Sequence, residues 1–492
     1  MLNTTTDSQK KRATDRDKKK WIMCPVCHEA NSPDNMFCRH CHGNRITKLD
    51  NQPLRSLSEI DQIKNDWLSR SRARRLLWRT AVAVVSLLAV IAVTVGVLFY
   101  FTDLIGAPRP GMSSDSATGE WSMFGYDLAR TAGTGSSAAV PEGALKWVFA
   151  TGREIYASPV VVNGVVYIGS TDSNFYAVDA QTGDELWRFT AESWIESSAA
   201  VSGGTVYVGS NDSMLYALDA VTGEKRWEHT TRYGVRSSPA IAEGKVYFSS
   251  GDYTVYALDV QTGEMVWTFK TTGNISASPV VANGIVYLGD LNNYLYALDA
   301  VTGRRRLHFK TYGGTASSAA VSGTTVHFAN RNGILFAIDG AARNWPNEHN
   351  MRFLLYRIYV QSLSIVPPMW LLPPNQSGFL WAANLGDRVY SSPTVFDDRL
   401  YIGAGSKLVA VDMESYRIDW AFTTGNSVTS SPAVMDGVVF IGSRDGNLYA
   451  VETGTGKEVW RFSTGAAITS SPAVADGVVY IGSHDGNLYA IE

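Results

Sequence analysis

Two hydrophobic patterns divide the chain. Before about residue 118 the one long apolar stretch is 80–101 (TAVAVVSLLAVIAVTVGVLFYF), which carries no charge over 22 residues. At 1.5 Å per residue it predicts a helix of about 33 Å, enough to cross a hydrocarbon core of about 30 Å. Beyond 118 the pattern changes to short runs of alternating residues broken by turn signals, as in VVVNGVVYIGS from Val160, where Asn163-Gly164 suits a tight primed hairpin turn. These runs predict antiparallel strands.

The strand region repeats itself. A serine followed by Pro or Ala recurs at Ser158, Ser198, Ser238, Ser278, Ser318, Ser392, Ser431 and Ser471, with intervals of 40 or 39 residues except one of 74. Each unit gives a hairpin, a turn carrying Asp172, Asp212, Asp252, Asp445 or Asp485, a third strand such as FYAVD, and a fourth bearing Trp147, Trp187, Trp227, Trp267, Leu307, Trp381, Trp420 or Trp460. Four short strands at a period of about 40 residues are the signature of a propeller blade. Eight units predict eight blades. The last third strand, Tyr489-Ala-Ile, has no fourth after it, and Trp147 lies on a fourth strand with no predecessor, so the strand at 145–149 is expected to complete the last blade and remove both open edges.

Charge then orients the apolar run. Arg70, Arg72, Arg74, Arg75 and Arg79 precede it and Asp103 is the first charge after it. By the positive-inside rule the N-terminus is cytoplasmic, and the chain beyond Asp103 is periplasmic or extracellular, on a single-pass anchor in the cell (inner) membrane. Residues 1–79 hold 17 Lys+Arg against 9 Asp+Glu, a balance of +8, which leaves 26 against 37, or −11, for 80–492. That balance argues against nucleic-acid binding by the propeller. The basic stretch Lys10–Lys20 is read as a solvated, disordered tail, with anionic lipid as its alternative partner.

All four cysteines fall early. Cys24-x-x-Cys27 and Cys38-x-x-Cys41 have the spacing of a tetrahedral Cys₄ zinc site, closed and structural. A reducing compartment suits the thiols, and about twenty residues gain their folding energy from the metal. His28, His40 and His42 are the alternative ligands.

MCPVCHEANSPDNMFCRHCHG resembles the short zinc-ribbon modules at the cytoplasmic ends of bacterial membrane proteins. Ala177-x-Asp179-x-x-Thr182-Gly183-x-x-x-Trp187, repeated at Ala217/Asp219/Thr222/Gly223/Trp227 and Ala257/Asp259/Thr262/Gly263/Trp267, resembles the tryptophan-docking repeat of the pyrroloquinoline-quinone-like propellers, as does the lead-in Trp121-Ser-Met-Phe-Gly-Tyr. The resemblance covers about 120–492. It implies that each Trp wedges against the next blade and that the Tyr167, Tyr207, Tyr247, Tyr287, Tyr401 and Tyr480 ladder is core. Docking is expected to be irregular at blades five and six, where Thr-Gly is missing, and at Leu307. His327, in the tyrosine slot of blade five, is expected to be a satisfied, half-buried histidine.

The resemblance has two branches. Quinoprotein dehydrogenases hold the quinone in the central funnel beside a metal ion, commonly under a ring of adjacent cysteines, and this propeller has no Cys. Neither the quinone cofactor nor a small-molecule substrate is therefore expected. The other branch resembles the membrane-tethered, non-catalytic propeller of outer-membrane β-barrel assembly, which implies a protein partner. Loops on one face carry Glu154, Tyr156, Trp194, Glu196, Tyr233, Arg236, Arg388 and Tyr390, and Arg, Trp and Tyr are the residue types of interface hot spots. These eight are the candidate partner-binding set; no catalytic set stands out. The Asp-Gly-Asn turns at 445 and 485 are read as turns, not calcium loops.

The expected fold class is all-β, an eight-bladed propeller closed by its N-terminal strand and preceded by a zinc ribbon and one transmembrane α-helix. The divisions are a tail (1–20), ribbon (21–45), cytoplasmic linker (46–75), membrane helix (76–101), second linker (102–119) and propeller (120–492). An apolar insertion at 341–378 is expected to pack on the propeller side or to meet membrane or partner. The expected function is an interaction or assembly scaffold, with a quinoprotein oxidoreductase and a transmembrane sensor as the alternatives.

Overall fold

The computed structural model describes residues 20–32, 53–101, 123–125, 133–134, 140–345, 347–363 and 375–492, without the side chains of 71–77, 79, 91–101, 133 and 134. Two compact units divide the chain, 1–99 and 100–492.

In the first unit, β1 (Trp21–Met23) pairs antiparallel with β2 (Ala30–Asn31) on one side and β3 (Leu54–Arg55) on the other. A 45-residue helix, α1 (Leu57–Phe101), follows β3 directly. Its start is a reciprocal capping box: the Ser56 N–H donates to the Glu59 carboxylate at 2.9 Å and the Glu59 N–H to the Ser56 hydroxyl at 3.3 Å. The expected cytoplasmic linker is thus, from 53 to 75, a short strand and a continuous helix, because the cap nucleates helix twenty residues before the apolar run. Ile60 is fully buried, Lys64 pairs with Glu29, and Trp67 lies 4.9 Å from the His28 ring, so the first turns of α1 close over the small sheet. Among the described residues no helix is long and apolar enough to cross a membrane. The apolar run lies on α1, and its described side chains end at Val90.

The second unit consists of eight four-stranded antiparallel sheets. Blade one is 160–162, 165–169, 174–179 and 185–190, and the order of strands is the same in the other seven. Asn163 and Gly164 have φ of 52° and 72°, the left-handed pair that a primed turn requires. Two more strands precede blade one: β4 (Gly133–Thr134) runs parallel to the inner strand of blade seven, and β5 (Leu145–Ala150) pairs with 487–491 as the fourth strand of blade eight, register Trp147↔Ala490. The closure expected from the order of the landmarks is therefore present.

The landmark serines close the ring at its inner end. The Ser158 N–H donates to the Ser198 hydroxyl, and the same step runs Ser238 to Ser278, on to Ser318, Ser392, Ser431, Ser471 and back to Ser158, at 2.8–3.0 Å. In these seven steps a serine hydroxyl satisfies a backbone donor of the neighbouring blade, which explains a small hydroxyl residue at that position.

The outer end is held by tryptophan. Trp147, Trp187, Trp227 and Trp267 each donate their indole N–H to a carbonyl in the next blade (Ala180, Ala220, Val260, Ala300) at 3.0–3.2 Å. The ring covers a glycine at φ 68–79°, where a Cβ would stand 2.6–2.8 Å from an indole carbon. Trp460 docks in the same way on Gly143 and the Pro141 carbonyl, 319 residues away, so the junction closed by the N-terminal strand carries the same wedge. The aspartates of the inter-strand turns brace adjacent loops: the Asp172 carboxylate accepts from Asn174 N, Gly152 N and Tyr176 Oη at 2.6–2.8 Å, and Asp445 and Asp485 repeat the pattern. Those carboxylates are consumed as turn braces, in agreement with the reading of the Asp-Gly-Asn sequences as turns.

The insertion packs against blade four. Its helix α2 (Glu348–Leu363) buries Glu348 and Arg352. Gln376 makes a two-way amide contact with the Lys310 backbone at 2.5 and 2.9 Å, and Asn344 accepts from the His308 N–H at 2.6 Å. Side-chain amides thus take the hydrogen bonds of that outer strand. Met351, Phe353, Leu354 and Ile358 on α2 remain exposed. The helix thus buries polar side chains and leaves these apolar ones outward.

His327 departs from expectation. It is fully buried, and neither ring nitrogen has a hydrogen-bond partner among the described residues. In other blades the longer tyrosine at this slot reaches a carbonyl of the next blade, as Tyr207 does to Val260 at 2.9 Å; imidazole is too short.

Candidate interaction site at the propeller mouth

In the N-terminal unit, Cys24 is buried and Cys27 half-buried at the tip between β1 and β2. The Val26 N–H points at the Cys24 sulfur from 3.4 Å, the His28 N–H donates to the Cys24 carbonyl at 3.0 Å, and His28 turns the chain with a φ of 58°. Backbone donors aimed at sulfur favour a thiolate, the form that ligates metal. Cys38 and Cys41 lie outside the described residues, as do His40 and His42; among the described residues no three His, Cys, Asp or Glu side chains gather as a metal group.

At the mouth, two sets of loops emerge on one face, those leading into each first strand and those joining each second strand to its third. They are anchored by buried branched residues, Ile155, Ile195, Val235 and Val389, and the residues beside these anchors are forced outward. Trp194 is 46% exposed, Tyr233 64%, and Tyr156 and Tyr390 42% each; Glu154, Arg236 and Arg388 are exposed and Glu196 is half-buried.

The eight expected residues do not form one patch. Trp194, Tyr233 and Arg236 line a single cavity of about 760 Å³ together with Asn211, Ser249, Asn274 and Arg331. Arg236 donates from Nε to the Asn211 amide oxygen at 2.7 Å, with Glu196 at 3.4 Å. Tyr390 joins from another blade, its ring 5.3 Å beneath the Arg331 guanidinium. Glu154 and Tyr156 belong elsewhere: Tyr156 lies 4.3 Å from the His484 ring, and Glu154 accepts from the Thr171 hydroxyl at 3.1 Å. Its own backbone N–H and that hydroxyl hold the Glu154 carboxyl below the ordinary value. Arg388 touches the Asp387 carboxylate through its backbone and is not part of the cavity.

Asn211, Ser249 and Arg331 were not among the expected residues. Asn211 and Arg331 sit three 40-residue steps apart at one position of the repeat, the tip between second and third strands, so reading that loop set with the same register would have found them.

A small cavity lies at the inner ring. Met123 bridges to Ala200 of blade two and Phe124-Gly125 lie across the inner ring, leaving a cavity of about 10 Å³ between them and Ser158, Ser392, Ser431, Ser471 and their prolines. That is close to the minimum for one water. The lining presents hydroxyls and proline rings without a carboxylate, and the larger mouth cavity likewise has no Asp or Glu in its wall. These residues do not fit a quinone with an adjacent metal ion and acidic base.

The fold and this mouth define a closed β-propeller of eight like blades with a built cavity at one end. The chain belongs to the family described as outer membrane protein assembly factor BamB, which matches residues 132–341 and 372–492. Among solved structures, BamB from Moraxella catarrhalis is similar at 17% identity and a TM-score of 0.56, covering 71% of this chain and 97% of that one. A quinohemoprotein alcohol dehydrogenase from Comamonas testosteroni is similar at 16% identity and a TM-score of 0.61, covering 76% and 81%. At these identities the likeness is one of fold. A 1-butanol dehydrogenase (cytochrome c) from Thauera butanivorans is 35% identical over 81 residues, 15% of this chain; the match spans 12% of that enzyme's length.

Proposed function

We propose that this chain is a membrane-anchored, extracytoplasmic propeller that docks a protein partner at its mouth and serves as an assembly scaffold, with a structural zinc ribbon on the cytoplasmic side. The observation that carries the reading is the cavity of about 760 Å³ walled by Trp194, Tyr233 and Arg236. A protein in the matching family is named an assembly factor, and a scaffold needs a shaped surface rather than a catalytic set.

The anchor is supported by α1. Val82, Val84, Val85, Leu87, Leu88 and Val90 are 44–66% exposed on a single helix, behind five arginines, and lipid is the medium that would cover such a surface. The zinc proposal is supported by the tight turn after Cys24, in which the Val26 N–H points at the Cys24 sulfur. Cys38 and Cys41 would complete the ligand set, and the metal would supply folding energy.

The test is chemical crosslinking of the full chain in intact membranes, followed by identification of what is captured. Trp194→Ala with Arg236→Ala is expected to abolish capture of the partner; unchanged capture would remove the docking reading. Metal analysis of the purified chain is expected to give one zinc per chain, lost in Cys38→Ser. A second reading, a quinoprotein oxidoreductase, rests on the short match to the butanol dehydrogenase. Incubation with quinone and calcium separates it: bound absorbance and dye reduction would favour the enzyme.

A further inference from the structure

The wall of the mouth cavity gathers hydrogen-bond donors and two arginines. Three of the side chains in its wall hold donors that are buried and have no hydrogen-bond partner among the described residues: the Asn211 Nδ2, the Ser249 hydroxyl and the Arg331 Nε. Ser249 is only 2% exposed, so bulk water does not serve its hydroxyl. The Asn211 amide is not free to flip, because its oxygen already accepts from Arg236 Nε at 2.7 Å, which leaves the NH₂ end for something else. The Arg331 guanidinium is held over the Tyr390 ring. A buried donor without a partner costs about 1–3 kcal/mol, and all three belong to side chains that wall this one space.

The sign of the charge agrees. The wall of this cavity contains Arg236 and Arg331 and no Asp or Glu, in the half of the chain whose balance is −11. The nearby aspartates are engaged in turns, Asp212 with Met214 N and Tyr216 Oη, Asp252 with Thr254 N and Tyr256 Oη, leaving Glu196 beside Arg236 as the local counter-charge. Donors, planar guanidinium groups and a positive wall recognise a carboxylate.

We infer that the cavity receives an aspartate or glutamate side chain projecting from the docked protein, with Trp194 and Tyr233 packing on the apolar residues beside it. This deepens the docking reading and rests on it. The choice of a protein side chain over a free organic acid follows from those two rings, 46% and 64% exposed at the rim, which give an adjoining surface that a small acid would leave uncovered.

Fluorescein-labelled hexaglutamate, titrated into the full chain in detergent micelles and followed by anisotropy, tests the site. Saturable binding is expected, with Arg331→Gln and Arg236→Gln each weakening it about tenfold or more and Ser249→Ala about threefold. Raising salt from about 50 to 300 mM is expected to weaken it several-fold, and hexalysine is expected not to bind. Melting temperatures of the variants serve as the folding control. Undetectable hexaglutamate binding, or binding unchanged in a folded Arg331→Gln, overturns the proposal, and so does free glutarate competing as well as hexaglutamate, which would make this a small-acid site. The docking reading fails separately. If crosslinked capture depends on Trp194 but ignores Arg331, docking stands and the carboxylate site falls; if no protein is captured while hexaglutamate binds as expected, docking falls and the carboxylate recognition stands.

Discussion

Blades one to three and the seam between blades five and six use the same strand order and differ in how each blade grips the next. In the regular region an indole donates to a neighbouring carbonyl over a glycine that leaves room for it. At the seam Trp381 meets Tyr416, in the position held elsewhere by glycine, with ring centroids 4.3 Å apart, and its indole nitrogen is buried without a partner among the described residues. Tyr416 adopts a φ of 58°, a conformation that suits glycine, and His327 fills the tyrosine slot of the same sector with two unpaired nitrogens. One blade earlier Leu307 replaces the tryptophan and the insertion covers the outer strand instead. The difference teaches that a propeller tolerates loss of its wedge where another device shields the edge, and that polar satisfaction is given up first.

Substitution separates the two regions most strongly at the wedges. Trp267→Ala removes a buried ring and its bond to Ala300, an expected cost of about 3–5 kcal/mol, while Trp381→Ala is expected to cost about 1 kcal/mol less because no hydrogen bond is lost. Calorimetric melting of both variants checks the order, and equal losses would erase the contrast. Gly303→Ala is next: its Cβ would stand 2.6 Å from Trp267 at φ 68°, and about 2 kcal/mol of destabilisation is expected in the same experiment.

His327→Tyr is expected to stabilise the seam by about 1 kcal/mol by restoring the carbonyl contact. Burial lowers the His327 imidazole to about 4. The unfolded chain therefore binds a proton near pH 6.5 that the folded chain refuses until about 4, so stability falls as the pH drops through that window. The gain of the variant should grow between pH 7 and 5; a gain independent of pH would mean that His327 does not titrate as its burial requires. The smallest effect on the contrast comes from alkali. Burial raises the phenols of Tyr167, Tyr296 and Tyr401 to about 12 in blades one, four and six alike. Their contribution is complete below about pH 10 and is lost as the pH rises towards 12, in both regions together. Hydrogen exchange at pH 11 should show protection falling evenly round the ring; loss confined to the seam would contradict this.

Much of this was legible because a propeller is a one-dimensional code. Eight serine landmarks, a 40-residue period and the placing of Trp147 before any first strand were enough to count blades and to join the ends, since each blade can bury its faces only against a copy of itself. The irregular docking could also be read from Leu307 and the missing Thr-Gly. The rim was only partly legible: Trp194, Tyr233 and Arg236 meet in one cavity, but Glu154, Tyr156 and Arg388 were grouped with them by repeat position alone.

The sequence by itself determined the local chemistry: strand alternation, the Asn-Gly turn, the cysteine spacing, and the Thr-Gly before Trp187, Trp227 and Trp267. Tertiary structure alone decided which loop tips face a common space, that Phe124 lies beside the inner serines, that Gln376 completes the edge of blade four, and that His327 has no partner among the described residues. Those outcomes depend on distances between residues tens to hundreds of positions apart, and neither a period nor a motif carries a distance until the ring has closed.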